Sequence, residues 1–225
     1  MQHITERQTE AVIMGMDAEK AFDSVSWDFL YRVLQRFNFH ETIIKTIQAL
    51  YVAPTARIRV NGGLSDNIVL KRGCRQGCSV SPLLFALFLE PLSLSIKQNK
   101  NIQGIAMKGG MQNIALFADD VLIYVSNPDT SLPALMSEFK VFEQLSGYKI
   151  NVQKTQVLTF NYNPVDNIKN LYEIDWDRKA IKYLGVNLTK ELTQLKTANY
   201  DKGGYREVEL NSIYDDCIEG GSNQN

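Results

Sequence analysis

Two hydrophobic rhythms alternate along the chain, one strand-like and one with the spacing of a helix. AVIMGM (11–16) is a short apolar run stopping at Asp17, the pattern of a buried strand that delivers an acid at its C-terminal end. Ser26 stands where an N-cap belongs, and Phe29, Leu30, Val33, Leu34 and Phe37 then recur at helical spacing. ETIIKTIQALY predicts a second helix, stopped near Pro54. ARIRV (56–60) alternates, Asn61-Gly62-Gly63 is a turn signal and NIVLK answers it, so a β-hairpin is predicted. SPLLFALFLEPLSLSI (81–96) is apolar without an internal breaker before Pro91, with Ser81 as a cap and Pro82 at the first helical position.

Asn113 opens NIALFADDVLIYV, in which two β-rich runs flank an acidic pair; this predicts a hairpin with Asp119 and Asp120 at its tip. Helical spacing returns over 131–146 and stops at Gly147, and KTQVLTF and IKYLGVNL are predicted as further strands. From about Asp201 the chain turns acidic, Gly/Ser/Asn-rich and aperiodic, so a disordered tail is expected over 201–225. The order of elements across 11–200 predicts an α+β fold, an antiparallel sheet with helices packed on one face.

Composition narrows the class. The 225 residues are enough for one domain with appendages, and 44% hydrophobic with 22% charged residues reads as globular. No uninterrupted apolar stretch reaches the ~18 residues of a membrane span, and MQHITERQTE has no signal-peptide core. Three cysteines, Cys74, Cys78 and Cys217, are too few for a disulfide framework and fit a reducing compartment, so an intracellular protein is expected. Cys74 and Cys78 flank RQG, but the other possible zinc ligands, Cys217, His3 and His40, are scattered, so free thiols are expected. A net charge of −1 does not advertise a nucleic-acid binder. Locally, however, Arg57, Arg59, Lys71, Arg72 and Arg75 face a single acid, Asp66. A solvated hairpin surface explains that run equally well.

The candidate chemistry lies in the acids. If Asp17 comes near Asp119 and Asp120, each carboxylate pair at about 4 Å costs on the order of 4 kcal/mol at an effective dielectric near 20. Protonation, Arg or Lys partners, or divalent cations relieve such a cluster. Oxygen-only ligands favour Mg²⁺ or Mn²⁺, and two such ions can drive in-line phosphoryl transfer. An Asp-Asp pair in a turn is usually only a polar tip; strand-like apolar flanks on both sides set this one apart.

MDAEKAFDSVSW, RQGCSVSPLLFALFLEPLS, FADDVLIY, LSGYKINVQKTQVL and KYLGV resemble, in order, the palm motifs of reverse transcriptases from LINE-type (non-LTR) retrotransposons. The resemblance covers roughly residues 12 to 200 and implies an RNA-directed DNA polymerase domain. It implies Asp17, the Ala18 carbonyl, Asp119 and Asp120 as ligands of two Mg²⁺ or Mn²⁺ ions. Phe22 matches the steric gate beneath the sugar, with a core aromatic as the plainer reading. Gln76 and Gly77 match the turn against the incoming nucleotide and template, or form an ordinary turn. Lys154 matches the lysine that protonates the leaving pyrophosphate, or is a surface lysine. Tyr183-Leu184-Gly185 resembles the primer-gripping segment, whereas Glu19 and Asp23 read as structural.

The implied partners are an RNA template, a DNA primer and deoxynucleoside triphosphates, within a retrotransposon ribonucleoprotein. The resemblance also implies that most of the fingers and thumb lie outside the chain, with 1–10 disordered or a remnant of the fingers. Two functions follow: a polymerase fragment, weak or inactive in isolation, or a binding-only or non-functional remnant that keeps the palm fold. A palm-fold nucleotide cyclase is a distant third, opposed by RQGC-x-x-SP.

Overall fold

The computed structural model describes residues 8–200 apart from Lys108, Glu173 and Asp177. The expected tail at 201–225 and most of the expected N-terminal remnant lie outside the described residues. The chain divides into two compact units. The first gathers the described residues of Met1–Asp17, Ser95–Ser137 and Asn151–Asn225; the second gathers Ala18–Leu94 and Glu138–Ile150. The fold is α+β with antiparallel pairings, as the alternation of rhythms predicts. Among the described residues no helix is long and apolar enough to cross a membrane.

In the first unit a four-stranded sheet runs in the order Ile150–Phe160, Ala11–Ala18, Asp120–Ser126, Ile114–Phe117. Ala11–Ala18 pairs antiparallel with Asp120–Ser126 from Ala11↔Ser126 to Met16↔Val121. Ile114–Phe117 closes the acidic hairpin against it, ending at Phe117↔Asp120. One face of the sheet carries Ala11, Ile13, Leu122, Leu158 and Phe160, which join Ile105 and Ile181 in a buried cluster. Residues two apart share a face, and on the opposite face Val12, Met14, Met16, Val121, Ile123 and Val125 are buried as well, so the two central strands read as continuous apolar runs.

IKYLGVNL is not the single strand expected from its apolar content. It folds as a hairpin, Ala180–Tyr183 against Val186–Thr189. Leu184 (φ 49°) and Gly185 (φ 81°) form its two-residue loop, and two successive left-handed residues match strand twist in such turns. Two helices went unmarked by periodicity, Asp166–Leu171 and Leu192–Asn199, both too short for a repeating apolar stripe. The second is pinned to the hairpin by the Asn199 side chain, which accepts from the Asn187 N–H at 2.7 Å and donates to its carbonyl at 2.9 Å.

In the second unit Ser26 caps Trp27–Arg36, its hydroxyl accepting from the Phe29 N–H at 3.4 Å. The helix Glu41–Ala49 follows. The helix beginning at Ser81 runs through Pro91 to Gln98. Proline removes one helical hydrogen bond, but Leu84, Phe85, Phe88, Leu89, Leu92 and Ile96 are all buried at helical spacing, and that stripe keeps the helix continuous. Phe88 centres an aromatic group, its ring 5.4 Å from Phe29, 5.8 Å from Phe142 and 6.3 Å from Tyr148. The helix Pro128–Ser146 ends as expected: Gly147 (φ 76°) donates its N–H to the Glu143 carbonyl at 2.8 Å.

The basic segment forms the expected hairpin. Arg59–Val60 pairs with Gly63–Leu64 across Asn61 (φ 49°) and Gly62 (φ 84°), and Thr55–Ala56 pairs with Ile68–Val69. Between the two ladders the Ser65 hydroxyl accepts from the Ile58 N–H at 2.9 Å.

Candidate active site

Strand pairing alone brings distant acids together. Met16 stands opposite Val121, and one further step along the same register sets Asp17 across from Asp120. Asp120 is also the cross-strand partner of Phe117. Directly opposed residues project to one face, so Asp17 and Asp120 share the face of Ile13 and Leu122, beyond the edge of its apolar cluster. There they line a cavity of about 370 Å³ together with Gly15, Lys154, Arg178 and Lys182. Alternation along Ile150–Phe160 puts Lys154 and Gln156 on the face that holds Leu158 and Phe160. The Lys154 ammonium is 3.4 Å from an Asp17 carboxylate oxygen. Lys154 is therefore a surface lysine, largely exposed, that lines the cavity and pairs with Asp17.

Asp119 is placed differently. It lies with Ala118 in the two-residue loop of the hairpin and does not line the cavity, although Asp119 and Asp120 are both exposed. Ala118 is left-handed (φ 50°), a conformation costing a non-glycine residue about 1 kcal/mol. Partial burial, then the charges of Asp119 and Asp17, push the Asp120 carboxyl above its usual range. Among the described residues no three His, Cys, Asp or Glu side chains converge closely enough to hold a metal ion. The donor set that does share the cavity is Asp17 with Asp120, both oxygen donors suited to Mg²⁺ or Mn²⁺. A Mg²⁺ site commonly takes one or two protein carboxylates and completes its shell with water and substrate phosphates, and the repulsion felt by Asp120 is of the kind that a cation relieves.

The remaining expected residues belong to the second unit. Ala18 is buried at the end of its strand, and beyond it the Glu19 N–H donates to the Lys149 carbonyl at 2.8 Å. Phe22, in the 3₁₀ turn Ala21–Ser24, is half-buried and stacks on Phe85 at 4.6 Å with 19° between ring planes. Gln76 and Gly77 occupy an exposed turn, and Gly77 (φ 79°) has open space where a side chain would go. That turn is tied back to Phe22, whose carbonyl accepts from the Cys74 N–H at 2.8 Å. Cys74 and Cys78 are free thiols. Burial pushes the Cys74 thiol up, whereas hydrogen bonds from Val80 and Ser81 draw the Cys78 thiol down.

Two cations of the cavity, Arg178 and Lys182, escaped sequence reasoning. Arg178 pairs with Asp175 at 3.2 Å, and the Lys182 N–H donates to the Gln156 side chain at 3.0 Å. The signal was present in the run Arg178-Lys179 just before a short strand whose alternate residue is Lys182.

The chain resembles known proteins in sequence and in fold. Residues 1–188 match the family described as reverse transcriptase (RNA-dependent DNA polymerase). The chain is 30% identical over 181 residues to a 149 kDa protein of transposon TX1 from Xenopus laevis, covering 79% of this chain and 14% of that one. It is 33% identical over 144 residues to a Pol polyprotein of the type-1 retrotransposable element R2 from Popillia japonica, covering 64% and 20%. The chain thus spans a fifth or less of the length of these two relatives. Among solved structures, apo telomerase of Candida tropicalis superposes with a TM-score of 0.56 at 15% identity, over 83% of this chain and 35% of that one. Telomerase of Candida albicans gives 0.56 at 13%, over 84% and 31%. At these identities the structures establish a shared fold. The sequence matches go further: this chain belongs to the reverse transcriptase family, as the reverse transcriptase domain of a non-LTR retrotransposon.

Proposed function

We propose that this domain performs RNA-directed DNA synthesis, with Asp17 and Asp120 as the carboxylates that hold Mg²⁺ or Mn²⁺. The observation that carries the reading is the register that sets Asp17 across from Asp120 inside one cavity, with Lys154 beside them. When bound, a pair of divalent ions activates an attacking primer hydroxyl and offsets charge on the leaving pyrophosphate. The chain's own residues supply the rest. The Ala18 carbonyl and Asp119 complete the oxygen donors at the strand end and hairpin tip. Lys154 holds a proton at Nζ for the leaving group. Phe22 excludes a 2′-hydroxyl, and the Gln76-Gly77 turn lies against nucleotide and template. An RNA template, a DNA primer and deoxynucleoside triphosphates are the substrates, within a retrotransposon ribonucleoprotein.

The test is primer extension on an RNA template with Mn²⁺ or Mg²⁺. Extension is expected from the wild-type chain, with a loss of about 10²–10³-fold in Asp120→Asn, the scale of removing one electrostatic stabiliser from a reacting centre. Extension that survives in Asp120→Asn, or that proceeds in excess chelator, would overturn the proposal. A second reading, nucleic-acid binding without turnover, is favoured by two observations: Lys154 already pairs with Asp17, and Asp119 stands outside the cavity. It expects primer–template binding unchanged in Asp120→Asn and no incorporation at any metal concentration.

A further inference from the structure

We propose that the hairpin arm at 55–72 is a docking surface for a single strand of RNA; the choice of RNA rests on the reverse-transcriptase reading. Every residue from Arg57 through Arg72 is exposed, so neither face of this ribbon is covered by a core. A lone two-stranded hairpin is only marginally stable in water, yet this one displays Ile58, Val60, Leu64 and Val69, each more than half exposed. An exposed apolar patch of this kind marks an interaction site.

Charge identifies the occupant. Arg57, Arg59 and Lys71 are exposed and make no ion pair among the described residues, and Asp66 is the one acid on the arm. Arg57 is held in place across the ribbon, its Nε donating to the Asn67 side chain at 2.6 Å. Arg72, at the base of the arm, has its guanidinium close to Gly147. Three unpaired cations on one short ribbon match the spaced negative charges of a phosphodiester backbone. The interleaved aliphatic side chains decide between strand forms. A duplex hides its base faces in the stack, whereas a single strand offers phosphates and apolar base faces together.

The experiment is fluorescence anisotropy of the full chain with a labelled single-stranded RNA of about 15 nucleotides, within the range of single-strand binding sites. Nucleotide is omitted and chelator is present, so binding is read without chemistry. Charge reversal at Arg57→Glu, Arg59→Glu and Lys71→Glu together is expected to weaken binding by at least about tenfold and to lower the slope of log affinity against log salt by about two. Far-UV circular dichroism should be unchanged, because the one hydrogen bond lost, from Arg57 to the Asn67 side chain, lies on the exposed surface. Binding should be tighter to the single strand than to a blunt duplex of equal length, and Val60→Ser with Leu64→Ser should erase that preference. Unchanged affinity and salt slope on charge reversal would overturn the proposal, as would equal binding of duplex. It would also fall if the two serine substitutions dissolved a self-associated form in sedimentation while RNA binding stayed intact, since the arm would then be a protein interface. Failure of the polymerase reading is separable: arm-dependent RNA binding by a wild-type chain that never extends a primer would sink that reading and leave this one standing.

Discussion

Asp120 carries the electrostatic tension of the cavity. Its carboxyl is raised above the usual Asp value of 3.8 by partial burial and by Asp119 and Asp17. A raised acid is neutral in both folded and unfolded chains below that usual value, and its charge penalises the fold once pH climbs past the raised one. Asp120→Asn should therefore raise the melting temperature at pH 7 in chelator, by about 1–2 °C for an exposed, solvent-screened site in a domain of this size. The gain should vanish below pH 3.8, which scanning calorimetry at pH 7 and pH 3.5 would check. The strand that carries Asp17 and the hairpin that carries Asp119 and Asp120 were legible in the sequence because strand-like apolar runs frame these acids. The unequal placement of the two neighbours was not legible, since it depends on which residue closes the hairpin loop. Lys154 was legible as a residue but not as an ion-pair partner, because only the pairing of its strand beside Ala11–Ala18 brings it to Asp17.

Among elements, the helix from Ser81 to Gln98 tests how far packing overrides local propensity. Its buried stripe outweighs an internal proline, and Phe88, fully buried, is the side chain that touches the most aromatic partners there. Phe88→Ala is expected to cost about 3–5 kcal/mol, enough to leave the second unit largely unfolded at 37 °C. Hydrogen exchange should then show lost protection across 81–94 and 138–150. The apolar run ending at Asp17 and the two β-rich runs flanking Asp119-Asp120 were legible as strands; IKYLGVNL was misread because two hydrophobic stretches joined by Leu-Gly look continuous until the glycine is given its turn role. Short helices such as Asp166–Leu171 escaped for the opposite reason, since they have too few turns to show a period.

For the whole molecule, the α+β class followed from the order of rhythms, whereas the division into two compact units did not. That division cuts through the strand at Asp17–Ala18 and through two long helices, and no composition shift or linker marks it. A ligand that binds only the folded state stabilises all of it by mass action. Mn²⁺ at ten times its Kd should add about 1.4 kcal/mol, or roughly 3–6 °C in melting temperature. The shift should be absent in Asp17→Asn. An equal shift in that variant would place the ion elsewhere.

The pairing of Met16 with Val121 makes the cavity a matter of parity. Counting along Ala11–Ala18, odd positions face Ile181 and the cations, and even positions face the other way. An insertion or deletion of one codon within this stretch would preserve composition, charge and length almost perfectly, yet carry Asp17 through the sheet to the wrong side. Frameshift-free copying errors of a single codon here would therefore be more damaging than errors of two.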